Sequence, residues 1–149
     1  MRTIAPYEAY ECKDGFLVIA GANNSLFEKI SVALECPDWA RDARFKTNPD
    51  RVKNRDALNT LITNILIEKP RTHWQSVLDN KGVPNAPIQN TGEMDQHPQT
   101  QALGMVQEAP DQSIKLTGMP LSFDGKRPPF RSTAPKIGEH NNEIFGDYK

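Results

Sequence analysis

The chain has 149 residues, a formal net charge of −1 and 37% hydrophobic residues. That length suits one domain, or one domain with an arm, and is enough to bury a core. The balanced charge offers no field for nucleic acid or an acidic membrane, and no apolar run has the length of a membrane span.

The N-terminus "MRTIAPYEAYECKDG" has acids and no apolar stretch of signal-peptide type, so the expected compartment is the cytoplasm. Cys12 and Cys36 lack C-x-x-C spacing and read as two free thiols. The prolines crowd toward the end, at Pro98, Pro110, Pro120, Pro128, Pro129 and Pro135. A compact first part and an extended, irregular tail are expected from that asymmetry.

"YEAYECK" and "FLVIAG" read as two strands turned at Asp14-Gly15, where glycine supplies a positive φ. "NNSLFEKISVAL" reads as a helix capped by Asn23 or Asn24, with Leu26, Phe27, Ile30 and Leu34 on one face. "PDWARD" is a short helical turn begun by Pro37. The longest predicted helix starts at Asn48 with Pro49 in first position, carries Val52, Leu58, Leu61, Ile62, Ile65 and Leu66, and stops at Pro70. Its charged start, "DRVKNRD", reads as a solvated face.

Thr72 and Gln75 have the spacing of a capping box, and Trp74, Val77 and Leu78 give the next helix its apolar side. Gly82 fits the left-handed position beyond its end. In "NKGVPNAPIQN" that follows, Pro84 and Pro87 hold an extended path with few backbone donors. Asn90 and Glu93 mark a second capping box, and "HPQTQALG" is a short helix between Pro98 and Gly104. "MVQEA", the turn "PDQS" and "IKLTG" read as a hairpin. Beyond it, prolines forbid a central strand or a long helix.

The coarse reading is α+β: a small antiparallel sheet with several helices over 1–120, then an extended Pro-rich arm over 121–149. No catalytic constellation emerges from the residue pattern. His73, His97 and His140 lack metal-ligand spacing, so no metal is expected, and each reads as structural. Asp14 and Asp124 precede glycines and read as turn residues. "GANNS" offers backbone N–H groups at a helix start, a feature most helices share. Lys126, Arg127 and Arg131 are the candidates for gripping a phosphate.

Five segments in order carry a resemblance: "APYEAYECKDGFLVIAGANNSLF", "RDARFKTNPDRVKNRDAL", "WQSVLDNKGVPNAPIQNTGEMDQHPQTQALGMV", "LTGMPLSF" and "APKIGEH". The chain resembles the C-terminal part of the class III CoA-transferases, the CaiB/BaiF group, which includes formyl-CoA transferase, carnitine CoA-transferase and the α-methylacyl-CoA racemases. The resemblance implies a small domain plus the connection returning to a large Rossmann-like domain. It implies acyl-CoA:carboxylate CoA transfer through a nucleophilic aspartate on that large domain. It gives no catalytic residue to this chain. Coenzyme A is the implied substrate, held mostly by the large domain, with no covalent cofactor.

Three readings stay open: a small domain inactive alone, a self-associating binding module, or one subunit of a split enzyme with a separate large-domain polypeptide. A homo-oligomer is expected for the second. The resemblance marks Gly82, Val83, Pro84 and Pro87 as a rigid connector, and Gly138, Glu139 and His140 as a tail signature. It also exposes departures, among them Glu35 where the family has glycine after the first helix.

Overall fold

The computed structural model describes residues 3–111 and 113–146. Gln112, in the expected "PDQS" turn, lies outside the described residues, as do the last three residues of the tail. The chain divides into two compact units, Met1–Ile88 and Gln89–Lys149.

The first unit is built on a three-stranded antiparallel sheet of β1 (Tyr7–Cys12), β2 (Gly15–Ala20) and β3 (Asn85–Pro87), in the order β1-β2-β3. The hairpin register pairs Tyr10 with Leu17 and Cys12 with Gly15. Strand alternation then puts Tyr10, Cys12, Leu17 and Ile19 on one face, and all four are buried. On the other face Tyr7, Phe16 and Ile88 stay exposed.

Against the inner face pack α1 (Asn24–Ala33), α3 (Arg55–Leu66) and α4 (Arg71–Asn80), with a 3-10 turn at Pro37–Ala40 and the short α2 (Asn48–Lys53) between them. Phe27 and Ile30, Leu58, Ile62 and Leu66, and Trp74 and Leu78 bring the apolar stripes of the three long helices into one core. Each such side chain stabilises the fold by about 1.5–3 kcal/mol on burial.

Three local expectations are corrected. The longest helix is two helices, broken at Asn54; Asn48 is its first residue and Pro49 its second, one place further in than expected. Thr47 is its N-cap, accepting from the Asp50 N–H, and Asp50 reaches back to Thr47 in a reciprocal box. The α4 start has no side-chain box from Thr72 and Gln75. Thr72 lies inside the first turn, and the first free N–H, on Arg71, is instead satisfied at 2.7 Å by Asp14 from the β1–β2 turn. A long-range cap thus replaces the local one.

The third correction concerns "DRVKNRD", which is not a solvated face. Arg51 is fully buried. Arg55 pairs with Glu8 at 2.6 Å, each side chain only 15% exposed, and also donates to the Ile4 carbonyl. Asn59 links the pair onward, donating to Glu8 and accepting from the Tyr10 hydroxyl. Burial raises Tyr10 well above the ordinary phenol value, with Glu8 adding to the effect.

Both long-helix ends nearest the surface close as Schellman motifs. At α4, Gly82 has φ +64°, its N–H bonds Asp79, and the Val83 N–H bonds Leu78. At α1 the same pattern runs through Glu35, whose N–H bonds Val32 while Cys36 bonds Ser31. Glu35 sits at φ 60°, where a Cβ is strained. Glu35→Gly is therefore expected to stabilise the chain by about 1 kcal/mol. The urea midpoint should rise with an unchanged slope, and a fall would refute the assignment.

Cys12 is buried and Cys36 half-buried, and both are free. Burial, then the nearby Asp14 carboxylate, pushes the Cys12 thiol up to about 11. The folded state thus holds this proton more tightly than the unfolded chain. Its contribution is full below the unfolded value of about 8.5 and is lost as pH climbs toward about 11. Urea midpoints should fall across that window, and Cys12→Ala should flatten part of the fall. At neutral pH a maleimide should label Cys36 before Cys12.

The second unit contains α5 (Thr91–Gln96), α6 (Pro98–Ala102), the hairpin β4 (Val106–Glu108) and β5 (Lys115–Thr117), and α7 (Asn141–Phe145). Asn90 and Glu93 form the expected capping box. His97 caps α6, its Nδ1 accepting from the Gln99 N–H. The β4–β5 pairing matches the expected hairpin. No helix among the described residues is long and apolar enough to cross a membrane.

Candidate functional site

The connector Gly82–Pro87 is more than an extended path: its second half is the edge strand β3. Leu17 pairs with Pro87 and Ile19 with Asn85, while the Ala20 N–H bonds Pro84 and the Ile88 N–H bonds Phe16. An edge strand can hold proline because one side of its backbone needs no donor. Val83 is buried in the unit's own core, whereas Pro84, Ala86 and Ile88 are exposed.

Arg71 fixes the far end of this strand. Its Nη1 donates to the Ile88 carbonyl at 2.7 Å, and its Nε lies 3.6 Å from Asp14. Its guanidinium also fills the space a Cβ on Gly15 would need, 3.1 Å away. Asn85 donates to Asp79 and to the Val83 carbonyl, while its buried Oδ1 meets no donor among the described residues.

The three cationic candidates of the tail are placed differently from one another. Arg127 is occupied by backbone, donating to the carbonyls of Leu103 and Met119. Lys126 pairs its backbone with Phe123 in an isolated bridge. Arg131 alone of the three lines a cleft of about 590 Å³, with Gln107, Thr117, Met119 and Phe130. In the tail signature, Gly138 has φ +79°, Glu139 accepts from the Lys136 N–H, and the His140 Nδ1 lies 3.1 Å from Glu143. All three signature residues are exposed.

A second cleft, of about 520 Å³, lies in the first unit between α1 and the 3-10 turn, and Asn24 and Ser25 of the "GANNS" helix start line it. Buried Phe27 and exposed Asn24 line it together with the apolar Val32 and Pro37 and the exposed cations Arg41 and Lys46. Arg51 lies directly behind Asn24 and Phe27. Its Nη2 donates to Asn24 at 3.1 Å, and its guanidinium carbon sits 4.5 Å from the Phe27 ring centroid. No periodic signal reveals this grouping, because its cations come from three separate segments. Among the described residues no group of three or more His, Cys, Asp and Glu could hold a metal ion.

The model of CoA-transferase family III matches residues 1–141. Among curated proteins, an acyl-CoA transferase of Fusarium pseudograminearum is 33% identical over 96% of this chain and 32% of its own length. The acetyl-CoA:oxalate CoA-transferase of Acetobacter aceti is 32% identical, over 97% of this chain and 37% of its own. The human succinyl-CoA:glutarate CoA-transferase is 28% identical, over 96% and 33%. The chain thus spans about a third of the length of these relatives.

A crystal structure of a CaiB/BaiF family protein from Brucella suis superposes with a TM-score of 0.88 at 32% identity, over 100% of this chain and 39% of that one. The α+β architecture, with small antiparallel sheets and seven helices among the described residues, matches that neighbour. With the family model spanning nearly the whole chain and this superposition beside it, the chain belongs to CoA-transferase family III.

Proposed function

We propose that this chain is the small-domain portion of a machine that moves coenzyme A from an acyl-CoA to a carboxylate, and that it does not turn over alone. The supporting observation is the family match over residues 1–141, in a chain that covers only about a third of its curated relatives. The nucleophilic aspartate implied by the family resemblance has no matching position here. The remaining two-thirds would supply it, on a second polypeptide or on the rest of a longer one. CoA would be held mainly there, with Arg131 as a contact from this chain. The named relatives transfer CoA to oxalate or glutarate, so a small dicarboxylate is the acceptor class we propose.

The partner would dock on the outer face of the β1–β2–β3 sheet. Tyr7 is 55% exposed at one end of the hairpin, and Phe16 (47%) and Ile88 (48%) neighbour each other at the other, apolar surface that an isolated unit leaves in water. The same face favours self-association where no large domain is present. The expected result is no thioester exchange when the purified chain meets an acyl-CoA and a carboxylate acceptor, and light scattering above the monomer mass. Clear turnover by the chain alone overturns this reading, and a strict monomer over a wide concentration range removes the self-association part.

A further inference from the structure

We infer that the cleft between α1 and the 3-10 turn is a binding subsite for the free carboxylate of a small dicarboxylic acid. The inference deepens the transfer reading above and rests on it for the biological role, but the site itself is argued from its own chemistry.

Arg41 and Lys46 line the cleft, and neither side chain has a hydrogen-bond or ion-pair partner among the described residues. Cations near acids usually find them. Here the neighbouring Asp42 is taken by Arg44 at 2.6 Å, and Asp50 by the Thr47 cap. Glu28 is the one carboxylate lining the cleft, so the lining carries a net positive charge.

Behind this lining is a third positive charge. Arg51 is fully buried, and its hydrogen bonds run to two carbonyls and an amide oxygen, never to a carboxylate. A guanidinium is always protonated, so its charge stands at the back of the cleft, offset only in part by nearby Asp50. Through Asn24 and Phe27 it polarises the lining that a ligand would touch.

The apolar part of the lining decides the ligand class. Val32 is 44% exposed, and with Pro37 and Ala40 it forms a side suited to a short methylene chain. A volume near 520 Å³ is ample for a small diacid. An anion with a hydrocarbon body fits better than phosphate, which would leave that side unused.

The test is a proton–nitrogen correlation titration of the chain with succinate, and separately with inorganic phosphate. Saturable shifts at the amides of Asn24 to Glu28, Ala40, Arg41 and Lys46 are expected with succinate. The Arg41→Gln, Lys46→Gln double variant should weaken binding at least about tenfold, while Lys81→Gln, at an exposed cation outside the cleft, should not change it; the same spectra report whether the fold is kept. Absent shifts, unchanged affinity in the double variant, or phosphate binding as tightly as succinate would each overturn the proposal. Binding needs no turnover. Lost binding therefore leaves the transferase reading intact, and bound succinate with no transfer in the reconstituted full machine rejects that reading alone.

Discussion

Replacing Arg51 with methionine is expected to destabilise the chain by at least about 3 kcal/mol, a loss of roughly 6–12 °C in Tm. The side chain is fully buried. Its Nε donates to the Ala5 carbonyl at 2.7 Å, its Nη1 to the Phe45 carbonyl at 3.0 Å and its Nη2 to Asn24 at 3.1 Å. Methionine fills most of the volume but leaves the two buried backbone carbonyls without their donor, while the exposed Asn24 can turn to water. Each buried, unsatisfied acceptor costs about 1–3 kcal/mol, and partial relaxation keeps the sum below simple addition.

Lysine distinguishes charge from geometry. Its ammonium is a compact charge on a flexible stem and cannot reproduce a planar fork aimed at three separate segments. Arg51→Lys should therefore recover less than half of the loss. Full recovery by lysine would mean that the charge, not the fork, matters. Desolvation lowers the Arg51 pKa from its ordinary value, but a guanidinium remains charged throughout the accessible range. No pH dependence of the Arg51→Met effect is expected near neutrality.

The same residue shows where the sequence stops being informative. The β1–β2 hairpin, α1, the α5 cap and the β4–β5 hairpin could be read because their signals are local: Asp14-Gly15, a 3.6-residue stripe, Asn90 three before Glu93, and a turn between short apolar runs. In "DRVKNRD" nothing local says which arginine points inward. That depends on the N-terminal segment, whose Thr3 and Ala5 backbone groups are held by Asn48 as well as Arg51. The strand β3 was hidden for a related reason. Two prolines argue against a strand in general, and only the sheet order shows that this one is an edge.

The α4 start was misread because a good local box lost to a distant carboxylate, Asp14, 57 residues away in sequence. The candidate sites followed the same rule. The connector and tail signatures were visible as motifs, whereas the α1 cleft joins residues from three segments and exists only in the folded unit. Within the tail trio, Arg127 proved to be tied to backbone carbonyls, a fate composition does not disclose.

Trp74→Ala is the other substitution with a large expected effect, about 3–5 kcal/mol. Trp74 is 7% exposed, at the junction of α3 and α4. Truncation removes the packing of the whole indole and opens a cavity that the neighbouring helices close only in part. Trp74→Phe separates packing from hydrogen bonding. Phenylalanine keeps much of the ring but loses the Nε1–H that donates at 2.8 Å to the Leu66 carbonyl. That carbonyl ends α3, and its other donor, the Lys69 N–H, is distant at 3.4 Å. The phenylalanine variant should therefore lose about 1–2 kcal/mol, toward the lower end for an orphaned buried acceptor. His73 meets the indole edge-on at 4.9 Å but is itself exposed, so His73→Ala should stay within about 0.5 kcal/mol of the parent. Urea denaturation of the three variants should rank alanine at 74 well below phenylalanine, and phenylalanine below His73→Ala. A phenylalanine variant as stable as the parent would show that the bond to Leu66 contributes nothing and that packing alone holds α4 against α3.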